Sequence, residues 1–403
     1  MAIRTYTARE LVVDARRVFA GGGLVVSDSG EVLEVLDSAG VVKRRAEGEV
    51  VDLGEGVLAP GWVNAHAHLE LTGLEGSVPR GEDFSDWIKG LLGARAGQRD
   101  ADFDAAVRAG AARLLEGGTT TVGDVDSTGA ALRVLADHPL RAVVLREALD
   151  VGDAARREEV MTNLREPLAS GPSLSVGVSP HAGYTVSDAL LAELSVTFGG
   201  SEQPLQIHWN ETSEEAEWER GRPSSFDGLV MPNPARPTLE RLDAAGLLRR
   251  PVSLVHANHP GEGDARLLRE RGAVIVHCPG AHSWFQRPEF DVEGWWTEGV
   301  EVAIGTDSLA GNDALDMAHE LALFRQAHPG ASPERVFDMA TRAGARALGL
   351  QGRVGELSVG AFADMALHHA QGAALEAITN GASQVSTLWV SGKELSLDPG
   401  CVQ

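Results

Sequence analysis

The sequence predicts an α/β fold: a (β/α)8 TIM-like barrel with a small β-sandwich domain built from both chain termini. Three observations carry this expectation. Between Trp62 and Thr306, eight short apolar runs rich in Val, Ile or Thr are separated by enough chain for a helix, the cadence of buried parallel strands joined by helical crossovers. Strand-like segments flank that region on both sides. The chain has 403 residues, 43% of them hydrophobic, and a barrel commonly takes about 250 residues as one unit, which leaves room for a smaller companion.

Taken in order, Gly21 to Val26, Val32 to Leu36 and Val50 to Val57 read as an all-β segment closed by Pro60-Gly61. The barrel strands are expected at Trp62 to His66, Thr119 to Val125, Arg141 to Leu149, Ser173 to Ser179, Leu205 to Trp209, Val252 to His256, Ala273 to His277 and Val300 to Thr306. Helices are expected at Asp102 to Glu116, Ser187 to Leu194, Leu239 to Leu247 and Pro333 to Leu348. The last opens with Ser332 as N-cap and Pro333 in the first helical position. Strand texture returns at Gly352 to Leu357, Ala363 to His368 and Val385 to Val390. The expected division is therefore 1–59 with 350–403 as the sandwich and 60–349 as the barrel.

Composition narrows the function. With 58 acidic and 35 basic residues the net charge is −23, a field that repels phosphate backbones and anionic headgroups and points away from nucleic acid and membrane partners. Cys278 and Cys401 are the only cysteines, so a disulfide framework and a cysteine zinc site are both excluded and a reducing compartment is expected. The segment Met1 to Val18 lacks the apolar core of a signal peptide, and no apolar run approaches the roughly 18 residues of a membrane span. A soluble, cytoplasmic enzyme acting on a small molecule is expected, with the oligomeric state open, homo-oligomer included.

The active face of a barrel lies at the C-terminal ends of its strands. There the sequence places His66-Ala67-His68 on strand one, His181 on strand four, His208 on strand five, His256 on strand six, His277 on strand seven and Asp307 on strand eight. Alternation sends residues 66 and 68 to the same side, where two imidazoles grip one cation. Nitrogen and oxygen donors suit one borderline divalent ion, with zinc expected and iron(II) the alternative. Such an ion lowers the pKa of bound water towards about 7, which supplies a hydrolytic nucleophile. Three residues beyond His208 stands Glu211, where the chain leaves the strand, and its carboxyl is placed to shuttle a proton. His138, His259, His319, His328, His368 and His369 lie off this rim, and Trp284, Trp295 and Trp296 read as packing residues.

The segment Leu58 to Glu70, Pro180-His181-Ala182, His208-x-x-Glu211, His256, His277-Cys278-Pro279 and Gly305-Thr306-Asp307-Ser308 together resemble the amidohydrolase superfamily, in its cytosine deaminase-like branch. The resemblance runs through almost the whole chain, including Gly-x-x-Ala-Asp at Gly360 to Asp364. It implies one metal on His66, His68, His208 and Asp307. It also implies that His256 touches the attacking hydroxide, that Glu211 protonates a ring nitrogen, and that Asp307 takes the nucleophile's proton. The lysine-bridged dinuclear subtype is excluded, because Lys43, Lys89 and Lys393 all lie away from strand four.

Within the branch, His66 to Leu71, aromatic anchors at Phe84 and Trp87, and His277 to His282 are similar to 6-aminodeoxyfutalosine deaminases of menaquinone biosynthesis. That implies hydrolytic release of ammonia from an aminated purine nucleoside. Guanine, adenosylhomocysteine and formiminoglutamate deaminases are the alternatives, as is a non-catalytic relative that keeps the barrel for assembly. Substrate contacts are expected from Glu70, His181 and His282. Since Gly280-Ala281 stand where the relatives carry Arg-Ser, Arg287 is expected to take the substrate carboxylate, with Arg80 second.

Overall fold

In the computed structural model the described residues are 3–396, except 49, 81–82, 167–170, 172, 224 and 227–229. Cys401 lies outside them. The eight barrel strands run Trp62–Ala67, Thr119–Asp126, Arg141–Ala148, Leu174–Pro180, Leu205–Trp209, Val252–His256, Val274–His277 and Glu301–Ile304. They form one eight-stranded sheet in chain order, and every neighbouring pair is parallel. Strands one and two are buried at every position, as strands covered on both faces must be.

The barrel closes where the chain beyond strand eight meets strand one. Ala67 and Asp307 form a parallel bridge, and the Thr306 and Asp307 amides both donate to the His66 carbonyl, at 3.0 and 3.1 Å. Glycine is required at this seam. A Cβ on Gly305 would stand 2.8 Å from the His66 Cβ and 2.9 Å from its carbonyl oxygen, so any side chain there would push Asp307 away from the first-strand histidines.

The outer helices follow from their caps and apolar faces. Ser187 accepts from the Leu190 amide at 3.1 Å to open Asp188–Phe198. Ser332 accepts from the Arg335 amide at 3.4 Å, with Pro333 beginning the helix as expected. The expected continuous helix from Pro333 to Leu348 is instead two, Pro333–Met339 and Arg342–Ala347. Thr341 breaks it, with φ −135° and ψ −92° and its hydroxyl donating to the Phe337 carbonyl at 2.5 Å, the local competition that makes Thr a poor helix interior. Among the described residues no helix is long and apolar enough to cross a membrane.

Both chain ends build the companion sheets. A four-stranded sheet holds Ile3–Thr7, Gly23–Ser27, Val32–Leu36 and Val51–Asp52. A six-stranded one holds Glu10–Asp14, Arg17–Ala20, Val57–Pro60, Met365–His369, Gln384–Val390 and Lys393–Leu395. Met365–His369 pairs antiparallel with Val57–Pro60, Leu367 opposite Leu58. Leu11, Leu24, Leu58, Met365 and Trp389 share one buried cluster between the sheets.

Two expectations fail in these sheets. The first sixty residues are not all β, because Ser38–Glu47 is a helix whose N-cap Asp37 accepts from the Gly40 amide at 2.8 Å. Gly352 to Leu357 is a run of turns, since Gly352 and Gly355 sit at φ 73° and 75°, outside the range of an extended strand.

A buried ion pair ties the sheets to the barrel. Arg141, at the start of strand three, donates Nε to Asp364 Oδ2 at 2.6 Å and Nη2 to Oδ1 at 3.2 Å, with side chains only 4% and 1% exposed. Asp364 also accepts from the Ser391 amide at 2.7 Å. Removing the carboxylate takes two charge-assisted hydrogen bonds from a buried guanidinium, so Asp364→Ala is expected to lower stability by about 3–5 kcal/mol. Urea unfolding measures this, and a loss below about 1 kcal/mol would contradict the role.

Candidate active site

The strand-end histidines converge. His66 and His68 leave strand one with ring centroids 4.8 Å apart, and the His208 ring from strand five lies 5.0 Å from that of His66. Two hydrogen bonds fix which nitrogens face the cluster. Gln206 donates Nε2 to the Ala65 carbonyl and the Ser253 hydroxyl, which leaves its Oε1 to accept from His66 Nδ1 at 2.6 Å. His208 Nδ1 donates to the His181 carbonyl at 2.8 Å. In both rings the Nε2 lone pair is therefore left for a ligand.

His66 Nε2 is buried and has no hydrogen-bond partner among the described residues. His208 Nε2 stands 3.2 Å from His68 Nε2, close to the roughly 3.3 Å that separates two nitrogens bound at about 2.0–2.1 Å to one tetrahedral ion. Asp307 Oδ1 lies 3.7 Å from both His66 Nε2 and His68 Nε2. Burial and the neighbouring His66 pull the His208 pKa down to about 4. Burial, then His66, pulls His68 well down. Burial works to raise the Asp307 carboxyl, but the surrounding imidazoles, His66 first, hold it well below the usual range. Imidazole nitrogens beside a carboxylate are a donor set that fits one divalent ion.

The backbone is bent to achieve this. Asp307 and His256 adopt φ 59° and 74°, a conformation that non-glycine residues take at a cost and that clusters at functional sites. Gln206 escaped the sequence reading, although it lies two residues before His208 and so on the same strand face. Gln206→Leu is expected to weaken metal affinity about 10- to 100-fold, the usual effect of losing such an orienting bond. Competition against a chelator measures it, and unchanged affinity would remove the role.

Glu211 stands across the cluster. The turn at Asn210, φ 49°, carries it back over the barrel mouth, where it is 6% exposed. Its Oε2 is 3.6 Å from His256 Nε2, which lies 3.9 Å from Asp307 Oδ2. Its own amide donates to Glu215 Oε2 at 2.8 Å. Burial raises the Glu211 pKa to about 7, with the Arg287 guanidinium opposing the rise. Like His66 Nε2, His256 Nε2 is buried without a hydrogen-bond partner among the described residues.

A cavity of about 680 Å³ opens over these groups, with His68, His208, Glu211, His256 and Asp307 in its wall. Phe84, Trp87 and Phe285 form an aromatic cluster beside it. Glu70 and His181 line the cavity. Glu70 accepts from Ser127 Oγ at 2.5 Å, Thr128 Oγ1 at 2.7 Å and Arg95 Nη2 at 3.2 Å. His181 Nδ1 bonds Thr185 Oγ1 at 2.8 Å, and burial, then His208, lowers its pKa to about 3.

The remaining expected contacts lie elsewhere. His282 is absent from the cavity wall, and its Nε2 donates to the Pro288 carbonyl at 2.6 Å. His277 stacks on Phe290 with ring centroids 4.1 Å apart. Arg80 pairs with Asp313 and lies over Trp284. Arg287 is bound to Glu211, its Nη2 2.6 Å from Oε1, so its fork is committed before any substrate arrives. Gly280 leaves no room for a larger residue, since a Cβ there would stand 2.2 Å from Asn312 Oδ1 and 2.5 Å from Glu320 Oε1. The cations that do line the cavity are Lys89, Arg95 and Arg156, beside Glu147. Burial, then the Glu70 charge, raises the Glu147 pKa to about 8. Its place near the end of strand three was a readable signal.

The Amidohydrolase family model matches residues 57–395. A 5-methylthioadenosine/S-adenosylhomocysteine deaminase from Halobacterium salinarum is 32% identical over 365 residues, 86% of this chain and 79% of the relative. An aminodeoxyfutalosine deaminase from Deinococcus radiodurans is 29% identical over 351 residues, 81% of each chain. The zinc-bound crystal structure of an adenosine deaminase from Xanthomonas campestris superposes with a TM-score of 0.81 at 26% identity, covering 97% of this chain and 92% of that one. Barrel, histidine cluster and these matches agree that the chain belongs to the amidohydrolase family.

Proposed function

We propose that the protein is a hydrolytic deaminase that binds one divalent metal and acts on an adenosine-like nucleoside, replacing the 6-amino group with oxygen and releasing ammonia. The observation that carries this is the buried Glu211 carboxyl, its pKa near 7, set 3.6 Å from His256 and facing the cluster of His66, His68, His208 and Asp307. Those four residues would hold the metal. When bound, zinc or iron(II) supplies Lewis-acid activation of water at neutral pH.

The chain's own groups then divide the proton work. Asp307 accepts a proton from the attacking water, and His256 orients that water by a hydrogen bond. Glu211 gives a proton to the ring nitrogen beside the carbon under attack, which ends the aromaticity that protects the C–N bond. One of water's two protons leaves with the amino group as ammonia and the other replaces the proton Glu211 gave to the ring nitrogen, so the reaction balances as nucleoside plus water giving 6-oxo nucleoside plus ammonia. A carboxyl with a pKa near ambient pH is suited to move the proton in both directions.

The outer cavity supports 6-aminodeoxyfutalosine as the substrate, which would place the enzyme in menaquinone biosynthesis. Leu92 and Val151, 59% and 37% exposed, line the cavity with Val160, Lys89 and Arg156, an apolar surface edged by cations that matches an aryl carboxylate. The second reading, methylthioadenosine or S-adenosylhomocysteine, is favoured by the name of the Halobacterium relative. Comparing kcat/KM for these nucleosides and adenosine separates the readings. The first expects 6-aminodeoxyfutalosine to be preferred by a wide margin, and equal rates on it and adenosine would remove it.

A further inference from the structure

We propose that Arg287 is a positioning residue for the deamination, fixing the Glu211 carboxyl for proton transfer. Its Nη2 lies 2.6 Å from Glu211 Oε1, and its Nη1 donates to the Glu211 main-chain carbonyl. One guanidinium thus clamps both the side chain and the backbone of the same residue. Both side chains are nearly sealed from solvent, at 7% and 8% exposure.

Aromatic rings pack against it as well. The guanidinium carbon lies over Phe84 and Phe285, 5.3 and 4.8 Å from their ring centroids. Arg287 is itself anchored, its amide donating to the His282 carbonyl at 3.1 Å. With Oε1 held, Oε2 is the carboxylate oxygen turned to His256, at 3.6 Å. A rigid planar fork can hold two acceptors at once, which a lysine ammonium on a flexible stem cannot reproduce. Proton transfer depends steeply on such placement, and a displacement of about 1 Å can cost about 10²-fold in rate.

This inference rests on the proposed role of Glu211, and the test separates the two. In Arg287→Ala, kcat is expected to fall about 10²-fold on both adenosine and 6-aminodeoxyfutalosine, with KM within about threefold and metal content unchanged. Arg287→Lys is expected to recover only part of the loss. Added methylguanidine should raise the Arg287→Ala rate about tenfold or more, a gain that an unfolded chain cannot show, and should leave Glu211→Gln unmoved. Glu211→Gln/Arg287→Ala should be no slower than Glu211→Gln alone, because residues acting as one unit are not additive. A raised KM for the carboxylate-bearing nucleoside alone, with kcat and adenosine kinetics unchanged, would assign Arg287 to substrate binding and overturn the proposal. So would an equal loss in the Glu211→Gln background, or no rescue in a folded, metal-loaded Arg287→Ala. Near-normal turnover by Glu211→Gln would remove the underlying reading instead.

Discussion

Glu211→Gln is expected to lower kcat by roughly 10² to 10⁴, the range for losing general acid–base catalysis. The amide preserves the shape of the side chain and can still meet Arg287 through its oxygen, so the loss isolates the titrating proton. Glu211 lies outside the four proposed metal ligands, and metal content should stay at the wild-type level. Elemental analysis and steady-state kinetics on the same preparation measure both quantities. A variant with normal metal and near-normal turnover would refute the assignment.

The second large effect is expected at the first strand. Replacing His66 and His68 together with alanine removes two of four proposed ligands, and activity should disappear along with tightly bound metal. The fold should survive. His66 is fully buried, and its loss leaves Gln206 Oε1 without its 2.6 Å partner, a penalty of about 1–3 kcal/mol. That is smaller than the stability of about 5–15 kcal/mol typical of a folded domain. Circular dichroism should therefore match the parent protein while elemental analysis shows no metal. Retained metal, or a lost helical spectrum, would contradict this picture.

The barrel was legible because its strands are continuous apolar runs with polar ends. Both the strand limits and the rim positions of His66, His68, His208, His256 and Asp307 follow from that texture. The failures have local causes. Ser38–Glu47 offers the core little more than Val41, too faint an apolar face to betray a helix between strands. The break at Thr341 depends on a side-chain bond to Phe337 that a helical pattern does not announce. Gly352 to Leu357 looked extended on the strength of Val354 and Leu357, but Gly352 and Gly355 take the left-handed conformation.

Substrate-side contacts were harder to read because they depend on where loops fold back. His282 lies in the helix Pro279–Trp284 and turns to Pro288, while the chain beyond that helix carries Arg287 onto Glu211. Arg95 and Arg156 come from helices following strands one and three, and nothing in their spacing announces that both reach one cavity. Gly280 shows a converse case. Its missing side chain reads as a lost cation in the sequence, whereas in the fold the position faces Asn312 and Glu320.

The central claim is hydrolytic deamination at a single metal, and the most direct measurement is ammonia release by metal-analysed protein supplied with 6-aminopurine nucleosides. The account predicts one tightly held metal per chain. It predicts one ammonia for each 6-oxo product formed from at least one of 6-aminodeoxyfutalosine, S-adenosylhomocysteine, methylthioadenosine and adenosine. Two tightly held metals per chain in the active enzyme, or no ammonia from any of the four by metal-loaded protein, would contradict it.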